Sequence, residues 1–355
     1  MRRLLLGLTA VSGLAALACD DAATPSKDCI FGICERGFSV VYQGDVGAVL
    51  SVFAPDGDHT LAVGGPLGNA AKDLVVAQGL DPDDDSTWDV QPSLGANSHW
   101  WIWGPGDASA PLYLVGEHGE VLRWTPGAPS AETVAAGLTA ATLYGVWGSA
   151  ANDVWVVGGD PLQGGEKDVV LHFDGAAWTR LTVPEPKNLA YFKVWGHAAD
   201  DVWIACQGGW ILRVRGTVAN PTFKWYPVLP GRSVFTINGN AAGDVWAVST
   251  PGGIFHYNAT TDAFDSLEPP FEAGGLNGVS VAPGGDVWIV GAGGTKWRRS
   301  AADEKWSDFT LQPPRGVDLH AVLANDDGAV FVGGAYVDPP RDGQPRAGVV
   351  AVGRP

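Results

Sequence analysis

Carboxylates are concentrated in one short stretch of the sequence, DPDDDSTWD at residues 81–89. Asp81, Asp83 and Asp85 alternate along it, and several carboxylates on one turn supply the hard oxygen ligands that Ca²⁺ prefers. The stretch lacks the glycine and the closing glutamate of a known calcium-binding loop, which favours a solvated turn before a strand. We therefore keep these three residues only as a weak calcium candidate, and predict no other metal and no cofactor.

Recognised catalytic motifs are absent from the sequence. It contains no HExxH, no GxSxG and no phosphate-binding loop, and the seven histidines are scattered. His172 and His256 recur at equivalent places, where Arg123 and Arg213 stand in other segments, which is typical of a repeated position on a strand surface rather than of a metal site. The sequence thus predicts no catalytic residue, and a hydrolase or lyase would require carboxylates or an Arg-Tyr-Glu cluster to converge in the fold.

Internal repetition identifies the elements that would position any site. The tripeptide DVW occurs four times, each time after a turn of small residues and before a β-branched run, with its tryptophan at Trp155, Trp203, Trp246 and Trp288. Weaker copies place Leu61, Tyr113 and Phe331 in the same slot. The slots are 42 to 52 residues apart, and repeats of this length predict a solenoid, a propeller or another array.

Each repeat contains four short apolar runs separated by turn residues. The clearest copy reads LYGVWG, DVWVVGG, DVVLHF and WTRLTV between residues 143 and 183. This pattern predicts a four-stranded antiparallel meander, which is one propeller blade. The inner strands of a blade are covered on both sides, so we expect the repeated tryptophans to be buried between neighbouring blades.

The last copy ends with its fourth strand missing. An isolated strand-like run, FSVVYQG at residues 38–44, precedes the first copy. We therefore predict an all-β fold, a seven-bladed β-propeller of four-stranded antiparallel blades over residues 38–355, with the N-terminal strand closing the last blade.

The N-terminus is predicted to direct export. Two arginines precede an apolar run that is too short for a spanning helix, and LAALAC resembles the lipobox of bacterial lipoproteins. The resemblance implies a signal peptide at residues 1–18, diacylglycerol and palmitate on Cys19, and anchoring at the periplasmic face or the cell surface. A simple cleaved signal with a free Cys19 is the alternative. Because Asp20 resembles a retention signal whose meaning differs between bacterial groups, the choice of inner or outer membrane stays open.

The other cysteines are assigned structural roles. Residues 19–37 are predicted to be a tether in which Cys29 and Cys34 form a disulfide, since both lie close together in an exported chain. Cys206 is expected to be a small buried hydrophobe.

The repeat LYGVWGSAANDVWVVGG resembles the Trp-rich propeller repeats of secreted and lipid-anchored proteins of myxobacteria and their relatives, which are distantly similar to Asp-box propellers. The resemblance covers roughly residues 38–355. It implies the fold and leaves the activity open, because Asp-boxes are structural.

The loops that do not repeat are predicted to carry the function. Loops between second and third strands differ from copy to copy, and in a propeller they share one face with the connections between blades. We expect a monomer that binds an envelope protein through this rim; the alternatives are a carbohydrate-binding propeller and a glycan-active hydrolase or lyase. With a formal net charge of −17, nucleic acid is excluded as a partner. The candidate rim residues are His99, Trp100, His118, Tyr144, Lys187, Tyr191, Trp210, Arg232, Arg315 and His320.

Overall fold

The structure is a computed structural model. It describes residues 29–30, 33–34, 37–44, 47–54, 59–65, 75–78, 89–90, 94, 97–107, 109–185, 187–272, 274–334 and 348–354.

The described residues form a β-propeller in which six blades are each made of four consecutive antiparallel strands. Blade 1 contains β4 (Val49–Phe53), β5 (His59–Gly64), β6 (Val75–Gln78) and β7 (Asp89–Val90). Blade 2 contains β8 (His99–Trp103), β9 (Leu112–Gly116), β10 (Val121–Trp124) and β11 (Glu132–Val134). Blade 3 contains β12 (Leu143–Ala150), β13 (Asp153–Gly158), β14 (Val169–Phe173) and β15 (Trp178–Arg180).

The second half of the chain repeats this arrangement. Blade 4 contains β16 (Tyr191–Ala198), β17 (Asp201–Cys206), β18 (Trp210–Arg215) and β19 (Thr222–Pro227). Blade 5 contains β20 (Ser233–Gly239), β21 (Val245–Thr250), β22 (Gly253–Asn258) and β23 (Ala263–Leu267). Blade 6 contains β24 (Leu276–Val281), β25 (Val287–Gly291), β26 (Lys296–Arg299) and β27 (Trp306–Asp308). Short 3-10 turns at Glu117–Gly119, Gln207–Gly209 and Ala292–Gly294 follow three of the second strands.

The sequence predicts seven blades, and the strand topology corrects this count. Consecutive strands complete six blades, whereas the last copy contributes only β28 (Leu319–Asn325), β29 (Gly328–Gly333) and β30 (Gly348–Gly353) and completes none by itself. These strands lie in a composite four-stranded sheet whose outer strand is β3 (Phe38–Gly44), from the other end of the chain. In it Phe38 lies opposite Gly353 and Gly44 opposite Gly348.

The first strand of every four-stranded sheet lines the centre of the ring. Each of these strands contacts the first strand of the next sheet, and β28 of the composite sheet contacts β4 of blade 1. The ring is therefore closed through its innermost strands as well as by the pairing of β3 with β30.

Alternate residues of the second strand pack against opposite neighbours. In β13, Val154 packs in a cluster with Tyr113 of blade 2, whereas Trp155 packs in a cluster with Val202 of blade 4. Both Val154 and Trp155 are buried, as are the equivalent tryptophans of the other DVW copies. This confirms the expected role of the repeated tryptophan as a core side chain between blades.

The aspartate of DVW has a role that the sequence did not indicate. In four blades its carboxylate pairs with a His or Arg of the third strand, and that side chain lies against the buried tryptophan: the imidazole of His172 is 4.7 Å from the Trp155 ring and the guanidinium of Arg213 is 4.2 Å from the Trp203 ring. The third-strand position that the sequence predicts to lie on a strand surface therefore holds a His or Arg that pairs with the aspartate of DVW. The pairs are Asp153 with His172 at 2.6 Å, Asp201 with Arg213 at 2.6 Å, Asp244 with His256 at 2.6 Å, and Asp286 with Arg298 at 2.5 Å.

These pairs predict acid lability of the fold. Burial acts to raise the pKa of Asp153, but hydrogen bonds with His172 and Ser149 outweigh it, and the pKa is held below its ordinary value of 3.8. The charged carboxylate therefore stabilises the fold above about pH 4, and this contribution disappears as the pH falls through the lowered folded-state pKa. We expect Asp153→Asn to lower the free energy of unfolding by about 1–2 kcal/mol at pH 7, and by less at pH 2.5.

Urea denaturation at both pH values tests this prediction, with substitution of the exposed Asp200 by Asn as the control. A cost of Asp153→Asn that is equal at both pH values would contradict the proposed origin of the stabilisation.

The segment before the propeller is described only in part. A two-stranded ladder joins β1 (Cys29–Ile30) to β2 (Ile33–Cys34) and places Cys29 opposite Cys34, while the disulfide between them stays a prediction. The signal peptide at residues 1–18, Cys19, and the calcium candidates Asp81, Asp83 and Asp85 lie outside the described residues. None of the helical turns in the described part has the length and apolar character needed to cross a membrane.

Candidate binding site at the mouth of the central channel

The same irregularity occurs in all seven first strands. Near its start each strand carries a β-bulge, where one residue has no partner in the register with the second strand. A bulge re-aims a side chain and leaves it outside the ladder. We call these residues the bulge ring; its members are Leu50, Trp100, Tyr144, Phe192, Phe235, Asn277 and His320.

All seven residues of the bulge ring line one cavity of 530 Å³ at the mouth of the central channel. This volume lies within the range of about 300–1,000 Å³ that is usual for ligand sites. Further residues of the first strands, the end of β21, the connections between blades and the segments after the second strands supply the rest of its wall. These additional lining residues are Pro161, Lys193, Ser233, Thr236, Thr250, Gly275, Ala292 and Asp318.

One side of the bulge ring is aromatic. Trp100 meets Tyr144 with ring centroids 5.0 Å apart, Tyr144 meets Phe192 at 5.6 Å, and Phe192 meets Phe235 at 5.1 Å. These four consecutive side chains, which we call the aromatic arc, support one another in tilted and edge-on contacts, the geometry that aromatic pairs prefer. The arc offers a preformed apolar wall to a ligand.

The opposite side of the ring is polar and fixed by hydrogen bonds. Asn277 donates from Nδ2 to the Leu319 carbonyl at 2.9 Å, and His320 donates from Nε2 to the Gly334 carbonyl at 2.7 Å. Burial lowers the pKa of His320 below its ordinary value, with nearby Lys193 acting in the same direction. The imidazole is therefore neutral near pH 7, and this side of the cavity presents polar but uncharged ring members.

Lys193 lies at the base of the cavity, directly after Phe192. Its ammonium nitrogen donates to the Tyr144 carbonyl at 2.8 Å and lies 3.6 Å from the centre of the Trp101 ring. Burial holds the pKa of Lys193 well below its ordinary value, whereas the contact with the Trp101 ring favours the charged form.

A second cavity of 220 Å³ continues below Lys193 and Thr236, which line both spaces. Its wall includes side chains that lie further along the first strands, among them Trp103, Trp147 and Trp195. Each of these rings lies against a glycine of the following blade; a Cβ on Gly239 would be 2.7 Å from the Trp195 ring. Glycine is therefore required where these rings cross between blades.

Three of the predicted rim residues line the mouth cavity: Trp100, Tyr144 and His320. Two others are buried instead. His99 contacts the Glu120 carboxylate at 3.2 Å, and the Tyr191 hydroxyl donates to Asp168 at 2.7 Å.

The remaining predicted rim residues lie away from the mouth cavity. Lys187 places its ammonium 4.2 Å from the centre of the Trp210 ring, so these two residues pair with each other. His118 is exposed on the 3-10 turn of blade 2, and Arg232 and Arg315 are exposed on connections between blades. The ten predicted residues thus do not form one continuous surface, and their role in binding stays a prediction.

Sequence reasoning missed Leu50, Phe192, Lys193, Phe235 and Asn277. A usable signal was present, because six of the seven ring residues follow the first apolar residue of their copy, as in LYGVWG, YFKVWG and LNGVSV. The second strands of the copies share the tryptophan of DVW, whereas the variable position lies in the first strands.

The described residues contain no group of three or more His, Cys, Asp or Glu side chains that could hold a metal ion. Within them, Asp318 is the carboxylate that lines the mouth cavity, and its Oδ1 accepts a hydrogen bond from the Gly293 amide at 2.9 Å.

Comparison with solved structures identifies β-propellers. A catalytically inactive variant of virginiamycin B lyase from Staphylococcus aureus with quinupristin matches at a TM-score of 0.66 and 10% identity, over 89% of this chain and 99% of that chain. YCF48 bound to D1 peptide matches at 0.63 and 11% identity, over 91% and 98%. The WD40 propeller domain of Doa1 matches at 0.64 and 14% identity, over 89% and 97%. Neither a family model nor a curated protein matches the chain. These likenesses show the propeller fold.

Proposed function

We propose that this protein is a non-enzymatic binding propeller that takes an apolar segment of a partner protein into the mouth of its central channel. The observation that carries the proposal is the bulge ring, in which every first strand supplies one side chain to a single cavity. The aromatic arc provides large apolar surface on side chains that neighbouring rings already hold in place, so little conformational entropy is lost on binding.

Two further observations support a protein partner. The YCF48 propeller has a bound D1 peptide, which is an example of peptide recognition on a similar scaffold. In addition, the described lining of the mouth cavity places four aromatic rings beside one carboxylate, Asp318, whose Oδ1 accepts from the Gly293 amide. This weakens the carbohydrate-binding alternative, and a hydrolase or lyase would still need catalytic groups to converge there.

We further propose that the Trp-rich propeller is exported and held at the bacterial envelope by lipid on Cys19, as the N-terminal sequence suggests. Mass spectrometry of the purified full chain tests this, and an unmodified Cys19 would contradict it.

Binding to a peptide array and to a glycan array tests the proposed function. We expect the protein to retain peptides rich in apolar and aromatic residues, and the double variant Trp100→Ala, Phe235→Ala to bind them at least about tenfold more weakly, since each ring offers about 1.5–3 kcal/mol of apolar burial. The control is Trp178→Ala, because this half-buried ring lies on the outermost strand of blade 3. Retention of glycans alone, lost in the double variant, would instead favour the carbohydrate-binding alternative.

A further inference from the structure

Lys193 is a part-buried cation without a carboxylate partner among the described residues. Its ammonium has one hydrogen bond, to the Tyr144 carbonyl, and one ring contact, to Trp101. An ammonium group has three N–H donors. The hydrogen bond and the ring contact engage two of them. Partial withdrawal of a charge from water costs free energy unless a counter-charge compensates it.

The cavity above Lys193 determines which counter-charge fits. Phe192 and Phe235 of the aromatic arc line the same cavity as the lysine, and the polar ring members opposite are uncharged. Asp318, the carboxylate that lines the cavity in the described part of the chain, accepts from the Gly293 amide through Oδ1 and forms no ion pair with Lys193. An incoming group must therefore carry one negative charge next to apolar atoms.

The charge of the whole chain restricts the ligand further. With a formal net charge of −17, the protein repels polyanions at long range. A single carboxylate on an otherwise neutral or basic molecule avoids most of this repulsion, and salt screens what remains.

We infer that the mouth cavity recognises the C-terminal carboxylate of a partner polypeptide whose last residues are apolar or aromatic. The carboxylate pairs with the Lys193 ammonium, and the last side chain packs against the aromatic arc. This inference rests on the proposed function, which it deepens by naming the part of the partner that enters the channel.

A matched pair of hexapeptide libraries tests the inference. Both carry apolar or aromatic residues at the last three positions, and they differ only in ending as a free acid or as an amide. We expect free-acid peptides to bind about 10- to 100-fold more tightly than their amides, which is the range for a charge-assisted hydrogen bond.

Substitution of Lys193 separates the charge from the apolar contacts. In Lys193→Met the preference for the acid should disappear, while thermal unfolding should shift to a higher temperature because a part-buried charge without a counter-charge has been removed. A gain in stability together with a loss of binding would show that Lys193 acts in ligand recognition, because general damage to the fold would lower both. The control is Lys305→Met, since Lys305 is exposed and pairs with Asp303.

Each other outcome overturns the inference in a distinguishable way. Equal binding of acid and amide peptides would remove the role of the carboxylate and leave the proposed function in place. Binding of 3-phenylpropionate without binding of any peptide would overturn both, because the site would then take a small carboxylate rather than a chain terminus.

Discussion

Replacement of Trp203 by alanine is expected to lower the free energy of unfolding by about 3–5 kcal/mol. The ring is 1% exposed and lies between blades 4 and 5, with its centroid 4.8 Å from Tyr257 and 5.5 Å from Phe264. Its loss would leave a cavity between two sheets that meet only through side chains. Arg213, which lies over the ring, would lose its apolar support as well.

Urea denaturation measures this cost. The matched control is Trp306→Ala, because Trp306 is half-buried on the outer strand of blade 6 and should cost much less. A loss below about 1 kcal/mol for Trp203→Ala would contradict the view that the repeated tryptophan holds neighbouring blades together.

Removal of the closing strand is expected to abolish cooperative unfolding of the monomer. A chain that begins at residue 47 lacks β3, so β30 becomes an open edge whose backbone groups can pair with another molecule. The same deletion removes Phe38, which is 2% exposed and packs 5.0 Å from Phe309 and 5.9 Å from Phe331. We expect self-association and a broad, early thermal transition.

Size-exclusion chromatography and thermal denaturation measure this effect. The control is a chain that begins at residue 35 and so keeps β3. Phe38→Ala is the point variant, with an expected cost of about 3–5 kcal/mol. If the chain from residue 47 stayed monomeric and unfolded as sharply as the control, the pairing of β3 with β30 would not be needed to close the ring.

The repeat made most of the architecture predictable. The spacing of Trp155, Trp203, Trp246 and Trp288 defined the second strands, and the isolated run at residues 38–44 indicated the outer strand of the composite sheet, because both depend on local apolar patterns. The pairing of Asp153 with His172 was not predictable in this way, since the two residues are 19 positions apart and meet only once the strand register is fixed.

The candidate site was less predictable because it depends on backbone irregularity. His99 and Trp100 are neighbours in sequence, yet one is buried beside Glu120 and the other lines the channel mouth. The bulge decides between them, and no residue type in the seven copies marks it: the bulge positions hold Leu, Trp, Tyr, Phe, Asn and His. Tyr191 was likewise predicted to lie on the rim, but the bulge places its neighbour Phe192 in the cavity instead.

The bulge ring also has an evolutionary consequence. Because a bulge residue takes no part in the strand ladder, it can be exchanged with little cost to the sheet that carries it. Seven such positions, one from each sheet, surround the same space, and a substitution at any of them leaves the strand ladders unbroken. A propeller of this design can therefore acquire a new ligand through a few single substitutions while its inter-blade core stays intact, which separates the evolution of specificity from the evolution of stability.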